Sequence, residues 1–521
     1  MRGKLTSLPG VQVIARGSST PYKKTTKTPK QIAEDLDVGY LLTATVRWQK
    51  GEGAASRVEV SPELVEISGS GAPASKWQQP FDAALTDVFQ VQSDIASRVA
   101  EALGVALGAG AQKRLSEKPT QNLAAYDAFL KGEEATSSLG ITDPVSLRKA
   151  LSFYEQAVAL DPGFAQAWAR VSRINSFLYF FGVPTPDLAE RARQAAEKAL
   201  GLAPDRPEGY LAFGAYERAV VRDSNRALEE FAKAQRVAPA NAEIVRGTAV
   251  VEQALGHWEA AVEHFRQAEQ LDPRSATNPF ALGGALLFLR RYSEARQALD
   301  RGLAFAPANL GLIEGKAMTF LAQGDLPGAG AVLKVALKQV EPALVAYVAN
   351  SWDLVWVLDE GERELLLQLT PRAFDNDRGI WALCLAQAYV LKADTANAHR
   401  YAEEARKAFE EQLRVAPEHA ARHAELGVAL AYLGRKEKAI EEGERAVALL
   451  PVAKDAVFGP YFKHQLARIY LLVGEPEKAL DQLEPLLKIP YFLSPGWLKI
   501  DPNFDPLRKN PRFRKLVAGA K

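Results

Sequence analysis

Residues 241–273 read NAEIVRGTAVVEQALGHWEAAVEHFRQAEQLDP, and this stretch decides the fold because the same pattern recurs on both sides of it. Small residues stand five and twelve positions before the closing Pro273, at Ala268 and Ala261, and the aromatic Phe265 lies between them. Small residues let two helices cross closely, and the aromatic side chain fills the remaining space. Proline ends the second helix, since it has no amide hydrogen to donate. The stretch therefore predicts two helices that pack together across a turn.

The neighbouring units keep these positions in register with a period of about 34 residues. The equivalents of Ala268, Phe265 and Ala261 are Gly302, Leu299 and Ala295 before Pro307, and Ala446, Gly443 and Ala439 before Pro451. A turn residue stands seventeen positions before each closing proline, at Gly256, Arg290 and Gly434. The recurring motif A-x3-F-x2-A-x4-P resembles the tetratricopeptide (TPR) family. That resemblance implies a right-handed superhelix whose first helices line a concave groove for a protein or peptide.

The closing prolines divide residues 121–490 into about ten repeats. They stand at positions 162, 204, 239, 273, 307, 342, 417, 451 and 490, and the gap of 75 residues after 342 accommodates two units, at 343–369 and 378–417. The unit that ends at 204 is longer than the others and contains SFLYFFGVPTP, which predicts an extended loop between its helices. Residues 491–521 break the pattern and predict a cap on the solenoid, with a docking segment as the alternative.

Residues 1–107 do not share the repeat and predict a small α+β domain, followed by a polar linker at 108–120. VQVIAR, GYLLTATVRWQ, RVEVSPELVEI and KWQQPF have the composition of strands, and KTPKQIAEDL and residues 87–107 have a helical apolar stripe. The predicted order is β-α-β-β-β-α. VIARGSST-x-Y, QIAEDLDVGYLLTATVRW and DVFQVQSDIASRVAEAL resemble the TolB-like (FlgO-type) domain that precedes TPR arrays in bacterial signalling proteins.

The resemblance also implies that a strand and a helix of this domain are missing before Met1. The chain then begins inside the domain, as a fragment or from an internal start. An incomplete sheet exposes an unpaired edge that recruits strands, so a homodimer is one expected arrangement.

Composition excludes several classes of protein. Sixty-four Lys and Arg residues balance 63 Asp and Glu residues, which argues against a general binder of nucleic acid or anionic membrane. The one cysteine, Cys384, excludes an internal disulfide and a cysteine-based zinc site, and its apolar surroundings predict a buried packing residue. No apolar stretch reaches the length of a membrane span. The expected location is cytoplasmic, or periplasmic if a membrane span precedes these domains in a longer protein.

The sequence offers no catalytic residue, metal site or cofactor motif. His419 and His423 lie one helical turn apart, but no third ligand accompanies them, so two surface histidines are the favoured interpretation. The basic tail residues Arg508 and Arg512, with their neighbours, lack aromatic stacking partners and predict a solvated cap. The glycine-rich segments GEGAAS and SGSGAP predict turns. We expect a protein that is not an enzyme.

The candidate partner-binding residues lie on first helices, because these line the groove, and in the aromatic insertion. Aromatic, arginine and asparagine side chains can anchor an extended peptide there, although packing within a repeat is the alternative for each of them. The predicted set is Trp168, Arg170, Arg173, Asn175, Phe177, Tyr179, Phe180, Phe181, Tyr210 and Arg246.

The sequence thus predicts a scaffold in bacterial signalling or envelope-associated assembly that binds a protein or peptide in the TPR groove. The alternative is the regulatory region of a kinase or cyclase, with a ligand bound in the α+β domain. The two hypotheses differ in the position of the ligand.

Overall fold

A computed structural model describes residues 25–49, 57–67, 71–84, 87–105, 115–137, 144–273, 275–340 and 343–518, with single positions elsewhere before residue 115. The described residues form a small antiparallel sheet with two helices, and then a long array of helix pairs. The predicted fold class, a mainly helical repeat array after a small α+β region, is confirmed.

The sheet is organised around one central strand. The strands are Tyr40–Gln49 (β1), Arg57–Glu66 (β2), Ala74–Gln78 (β3) and Phe81–Ala84 (β4), and the helices are Pro29–Leu36 (α1) and Val88–Ala102 (α2). β2 pairs with β1 along its whole length, whereas on its other side it pairs first with β4 and then with β3. The predicted third strand is therefore two short strands. Pro62 lies where neither β3 nor β4 pairs with β2, so its missing amide hydrogen costs that side no ladder bond.

The predicted first strand, at residues 11–16, falls partly outside the described residues. Val11, Val13 and Ile14 are described and lie in no strand. Val11 and Val13 nevertheless pack against the core of the sheet region, beside Leu115 from the segment before the first helix pair. The sheet and this segment therefore share one apolar core.

Ten helix pairs follow in the part of the chain that the structure describes, as the fold class predicted. Their bounds, with a first and a second helix in each pair, are Leu123–Ser137 (α3) and Pro144–Leu160 (α4), Ala165–Phe181 (α5) and Pro186–Leu202 (α6), Pro207–Tyr216 (α7) and Ser224–Val237 (α8), Ala242–Ala254 (α9) and Trp258–Leu271 (α10), Thr277–Phe288 (α11) and Tyr292–Phe305 (α12), Leu310–Ala322 (α13) and Leu326–Val340 (α14), Ala343–Asn350 (α15) and Glu360–Gln368 (α16), Arg378–Leu391 (α17) and Thr395–Val415 (α18), Ala420–Tyr432 (α19) and Lys436–Leu449 (α20), Phe458–Leu472 (α21) and Pro476–Leu486 (α22).

Short non-α segments interrupt the array. A π-helical turn, Glu217–Val221, follows α7, and 3₁₀ turns occur at Ser351–Val357 and Pro371–Phe374. The tail consists of Pro495–Ile500 (α23), a 3₁₀ turn at Pro502–Leu507, and Pro511–Ala518 (α24). A single-turn π segment is common at functional sites, because its extra residue redirects neighbouring side chains.

Large side chains of the second helices fill the space against small residues of the first helices. Phe265 is fully buried. A Cβ atom added at Gly283 would stand only 2.6 Å from Leu299, so the first helix must keep a glycine there. Gly443 stands where other second helices have the large side chain. Ile469 of the next pair fills this space, because a Cβ atom added at Gly443 would stand only 2.7 Å from it. This packing explains the period of the sequence pattern.

The turn between the helices of a pair needs a left-handed residue. Gly256 and Gly434 have φ angles of +82° and +69° there. Arg290 occupies the same position with a φ angle of 59°, which a side chain adopts only at some cost. Its guanidinium donates to the carbonyl oxygens of Ile489 and Leu493 at 3.0 and 3.3 Å. The Arg290 side chain, which disfavours the left-handed turn, therefore binds the tail.

The aromatic insertion corrects one prediction. The extended loop predicted in residues 176–186 is wrong, because α5 continues to Phe181 and only residues 182–185 connect it to α6. Both helices of this pair have 17 residues, whereas α9 and α10 have 13 and 14. Residues 176–181 contain no glycine or proline, so nothing in them ends the helix before Gly182.

The superhelix closes on itself along a contact that we call the seam. Arg218 in the third pair forms an ion pair of 2.8 Å with Asp455 before α21. The amide of Ala456 donates to the carbonyl oxygen of Ala254 at 2.7 Å. Arg148 and Asp375 form a further ion pair across 227 residues of sequence. These contacts join the third and fourth pairs to the segment before the last pair, and the first pair to the segment between the seventh and eighth pairs.

The tail packs into the array, consistent with a cap. Tyr491 and Trp497 are at most 1 % exposed. The amide of Tyr491 donates to the carbonyl oxygen of Phe288 at 2.9 Å, and the Ser494 hydroxyl donates to the carbonyl oxygen of Ala322. The tail therefore covers the ends of α11 and α13, which are far from it in sequence.

Candidate functional site

One face of α5 carries four of the predicted partner-binding residues. Arg170, Arg173, Phe177 and Phe181 are spaced by three, four and four residues, so they lie along one side of the helix. We call this set the inner strip. Its arginine half reaches residues of α3 and α9, which are also first helices. The inner strip therefore lies on the surface that the first helices share.

An arginine and glutamate cluster forms the first half of the inner strip. The Arg170 guanidinium donates to Glu133 at 2.7 Å and to Glu243 at 3.1 Å, and Arg173 contacts Glu243 at 2.5 Å. The Tyr154 hydroxyl donates to Glu133 at 2.7 Å. The Arg170, Arg173 and Glu243 side chains are between 24 and 29 % exposed. The cluster is thus organised internally, but it remains accessible to solvent.

The charges of this cluster shift each other's pKa. Burial alone would raise the pKa of Glu243, yet Arg170, Arg173 and Arg246 hold it far below its ordinary value. Burial would lower the pKa of Arg170, yet Glu133 and Glu243 raise it well above its ordinary value. Burial lowers the pKa of Arg246. Three of the predicted arginines therefore converge on Glu243, and Glu133 balances part of their charge.

An aromatic cluster forms the second half of the inner strip. The Phe181 ring lies 4.5 Å from the rings of both Phe177 and Phe180, between centroids. The Phe180 ring lies 5.2 Å from that of Phe458, which begins α21 across the seam. Phe181 is 56 % exposed, whereas Phe177 and Phe180 are partly buried. The insertion therefore helps to close the superhelix, and Phe181 is its most accessible aromatic side chain.

Three other predicted residues have structural contacts. The Trp168 indole donates to the carbonyl oxygen of Pro162, and the Tyr210 hydroxyl donates to that of Pro204, both at 2.9 Å and both six residues back. These side chains bind the end of the preceding unit. Asn175 is fully buried and donates to the carbonyl oxygen of Val171, so it is not on the accessible surface.

Tyr179, the last predicted residue, lies at the seam and not on the inner strip. Its ring centroid is 6.3 Å from that of His419 at the beginning of α19. Sequence reasoning missed His419 as a neighbour of Tyr179, because 240 residues separate them. It also missed Glu133 and Glu243. Their signal was a position on first helices, but the predicted set was restricted to aromatic, arginine and asparagine side chains.

The prediction that His419 and His423 are surface histidines is wrong, because His419 is 7 % exposed beside Tyr179 across the seam and the His423 side chain is 12 % exposed. His423 contacts Glu442 at 2.5 Å and the carbonyl oxygen of Pro417 at 2.9 Å. The other residues that the sequence analysis rejected as chemical sites have ordinary surroundings. Arg512 forms ion pairs with Glu477, Asp481 and Glu484 of α22. Burial raises the pKa of the Cys384 thiol well above its ordinary value.

The described part of the chain contains no group of three His, Cys, Asp or Glu side chains placed to hold a metal ion. Within the same part, no helix has both the length and the apolar character that crossing a membrane requires.

Comparison with known proteins identifies the repeat. Two tetratricopeptide repeat family models match this chain, over residues 214–276 and 253–310. Among solved structures, the human IFIT1 dimer with m7Gppp-AAAA aligns with 69 % of this chain and 77 % of its own, at 14 % identity and a TM-score of 0.40. Pseudomonas aeruginosa pilF aligns with 42 % of this chain and 93 % of its own, at 16 % identity and a TM-score of 0.30.

A curated relative is "Putative adenylate cyclase 3" of Rhizobium meliloti (strain 1021), which is 28 % identical over 208 residues. The match covers 40 % of this chain and 34 % of that protein, so the chain corresponds to about a third of the length of its relative. The two family models identify tetratricopeptide repeats within residues 214–310, and the described helix pairs continue on both sides of them.

Proposed function

We propose that this chain is a non-enzymatic scaffold that binds an extended segment of another protein on the inner strip. The supporting observation is the position of Arg170, Arg173 and Phe181 on one partly exposed face of α5. Arginine and aromatic side chains dominate the binding energy of protein interfaces. A segment complements this face if its carboxylate and its apolar side chain are separated by the length of about three helical turns, which is the distance from Arg170 to Phe181 along α5.

The arginine half offers exchangeable ion pairs. Arg173 is bound to Glu243 within the chain, and both side chains keep about a quarter of their exposure. Ion pairs that are open to solvent contribute about 0–1 kcal/mol, so a partner's carboxylate can replace one contact at little cost. The aromatic half then supplies affinity, because covering Phe181 removes apolar surface from water.

The full-length chain tests this proposal in a pull-down from a native bacterial lysate, with a Phe181→Ser variant beside it. The matched control is Val415→Ser, since Val415 is 51 % exposed and lies on a second helix. We expect Phe181→Ser to retain at most a tenth of the partner and Val415→Ser to retain all of it. Thermal unfolding should be nearly unchanged in both, because both side chains are largely exposed.

Phe180 is a poor choice for this experiment, because it contacts Phe458 and the guanidinium of Arg222. A charge variant gives an independent readout. Arg173→Gln should reduce the amount of partner that is captured. Arg226→Gln, which changes an arginine that is 66 % exposed, should not reduce it. Equal capture by all four variants would contradict the inner strip as the binding site.

The similarity to an adenylate cyclase favours a second candidate: a regulatory region of a cyclase-linked bacterial signalling protein, with a ligand in the α+β region. A TolB-like identity of that region belongs to this proposal. Hydrogen exchange with the captured ligand separates the two candidates. Protection of residues 165–181 and 242–254 supports the scaffold, and protection confined to residues 40–66 and 88–102 supports the alternative.

A further inference from the structure

Four cationic or imidazole side chains meet at one end of the seam, away from the arginine half of the inner strip. They are Arg218 and Arg222, from the π-helical turn and the residue after it, and His419 and Arg422, from the beginning of α19. We call them the seam cluster. Tyr179 and Phe180, at the end of α5, form its aromatic wall. The cluster thus combines residues from the second, third and ninth helix pairs.

Two of the arginines are already neutralised. Arg218 is ion-paired with Asp455 at 2.8 Å. Arg422 contacts Asp377 at 2.8 Å and Glu425 at 2.6 Å, and it donates to the carbonyl oxygen of Gly182 at 2.8 Å. These contacts fix both guanidinium groups in place. Their remaining buried Nε donors have no partner among the described residues.

Arg222 is different, because it forms no ion pair with any carboxylate in the described ranges. It has a left-handed φ angle of 65° at the end of the π-helical turn. Its guanidinium lies 3.9 Å from the centroid of the Phe180 ring, and that of Arg218 lies 5.4 Å from the same ring. Burial, and then the charge of Arg218, lower the pKa of Arg222 to about 10. It therefore stays charged at neutral pH, and the carboxylate that raises its pKa, Asp455, is already ion-paired with Arg218.

His419 is 7 % exposed, and neither ring nitrogen has a partner among the residues that the structure describes. Burial lowers the pKa of its imidazole well below the ordinary value, and the charges of Arg422 and Arg222 lower it further. The imidazole is thus neutral at physiological pH, with one donor nitrogen and one acceptor nitrogen. A buried polar group without a hydrogen bond costs free energy, so its position calls for a partner.

We propose that the seam cluster binds a phosphate group, with Arg222 as its counter-charge and the His419 N–H as a second donor. Several observations support this. Within the described part of the chain Arg222 forms no ion pair of its own, His419 has no hydrogen-bond partner, and the buried guanidinium Nε donors of Arg218 and Arg422 are unsatisfied, as an acceptor-rich ligand would require. Phosphate offers more acceptor oxygens than a carboxylate, and guanidinium groups bind it through charge-assisted hydrogen bonds.

The site spans the seam, which gives it a structural consequence. Arg222 belongs to the third helix pair and His419 to the ninth, so a phosphate group between them bridges two pairs that are distant in sequence. The bound group can be inorganic phosphate or a phosphoryl group on a larger molecule. This inference is independent of partner binding on the inner strip.

Titration calorimetry with sodium phosphate at pH 7.5 tests the proposal on the full-length chain, with sodium chloride holding the ionic strength constant. We expect saturable binding that sodium acetate does not reproduce. Arg222→Gln and His419→Ala should each raise the Kd at least tenfold, the loss expected for one charge-assisted or buried hydrogen bond. Arg226→Gln, a matched loss of an exposed charge, should leave the Kd within twofold.

Two additional measurements keep the outcome clear. Arg222→Lys preserves the charge and should bind more tightly than Arg222→Gln, even if the glutamine variant loosens the seam. Protection of the Ala456 amide from exchange, without phosphate, reports whether the seam stays closed in each variant. The absence of phosphate binding to the unchanged chain, an equal response to acetate, or an unchanged Kd in His419→Ala would each overturn the proposal. Phosphoserine in place of inorganic phosphate distinguishes a phosphoryl group from the free ion.

Discussion

Replacing Arg218 with methionine tests whether the superhelix closes on itself. Arg218 and Asp455 are 237 residues apart in sequence, yet their side chains are 11 and 2 % exposed and 2.8 Å apart. Removal of one partner from a buried ion pair costs about 3–5 kcal/mol, because the remaining charge stays buried. Asp455 also accepts from the amides of Val457 and Phe458 at 2.9 and 3.0 Å. These bonds keep it partly satisfied, so we expect about 3 kcal/mol, the lower end of that range.

Hydrogen exchange of the Ala456 amide measures this effect locally. The amide donates across the seam to the carbonyl oxygen of Ala254, so it exchanges when the seam opens. A local readout is needed because long repeat arrays do not unfold in a single two-state transition. A loss of about 3 kcal/mol corresponds to roughly a hundredfold faster exchange. Arg226→Met is the control, since Arg226 is 66 % exposed, and it should change the rate by less than threefold.

The outcome separates a closed superhelix from an open one. In an open array Arg218 and Asp455 would both be solvated, and exposed ion pairs contribute only about 0–1 kcal/mol. Exchange in Arg218→Met that stays within threefold of the Arg226→Met control would therefore refute the closed seam. A double-mutant cycle with Asp455→Asn refines the result, since the asparagine keeps the oxygen that the two amides bind.

Four further predictions concern stability and assembly. Phe409→Ala should destabilise the eighth pair by about 3–5 kcal/mol, because the ring is fully buried against Gly379, and amide hydrogen exchange within the affected helix pair measures it. Arg290→Gly should be more stable than Arg290→Ala by about 1 kcal/mol in the same assay. Both variants lose the hydrogen bonds to the tail, but only glycine relieves the strain of the left-handed backbone. Burial raises the pKa of Glu314 from 4.5 to about 7, so its protonated form contributes stability that is fully present below pH 4.5 and lost as pH rises through 7. Glu314→Gln should flatten that part of the dependence of the unfolding temperature on pH. Light scattering after gel filtration should detect a homodimer if the edge strand β1 recruits a second copy, and a monomer would contradict that expectation.

The helix pairs could be predicted from the sequence because their packing is local. Each large side chain of a second helix meets a small residue of its own first helix, as Leu299 meets Gly283, and this relation repeats with the period of the chain. The degenerate seventh pair was found by spacing alone. The insertion was mispredicted because the extra length of this unit was assigned to the connection, whereas it lengthens the two helices.

The seam could not be predicted in this way. Phe458 and Asp455 meet residues that lie more than 200 positions earlier, and the pairing depends on the rotation accumulated over seven or eight helix pairs. Periodicity does not specify that rotation. The same limit applies to the seam cluster. Nothing in the sequence distinguishes Arg222 and His419, because only the folded array brings the third and ninth helix pairs together.

The predicted groove residues were separated by helix phase. Arg170, Arg173 and Phe181 fall on the accessible side of α5, but Asn175 falls on the buried side, and a list of residue types could not distinguish them. Trp168 and Tyr210 share a different role, because each binds the carbonyl oxygen of the proline six residues earlier. His423 does the same with Pro417. This spacing is visible in the sequence and identifies a recurrent contact of the turn.

The binding site that we propose on the inner strip is connected to the seam through aromatic contacts. Phe181 packs on Phe180, and Phe180 in turn packs on Phe458 and lies beneath Arg222. A partner that binds the inner strip and restricts the Phe181 side chain therefore also affects the Phe180 ring, which contacts Phe458 across the seam. Coupling between two sites is reciprocal, so a partner that protects the Ala456 amide must itself bind more weakly when the seam is opened by Arg218→Met. A partner that leaves the Ala456 amide unprotected should instead bind both forms equally, because its contacts would then be confined to the arginine half.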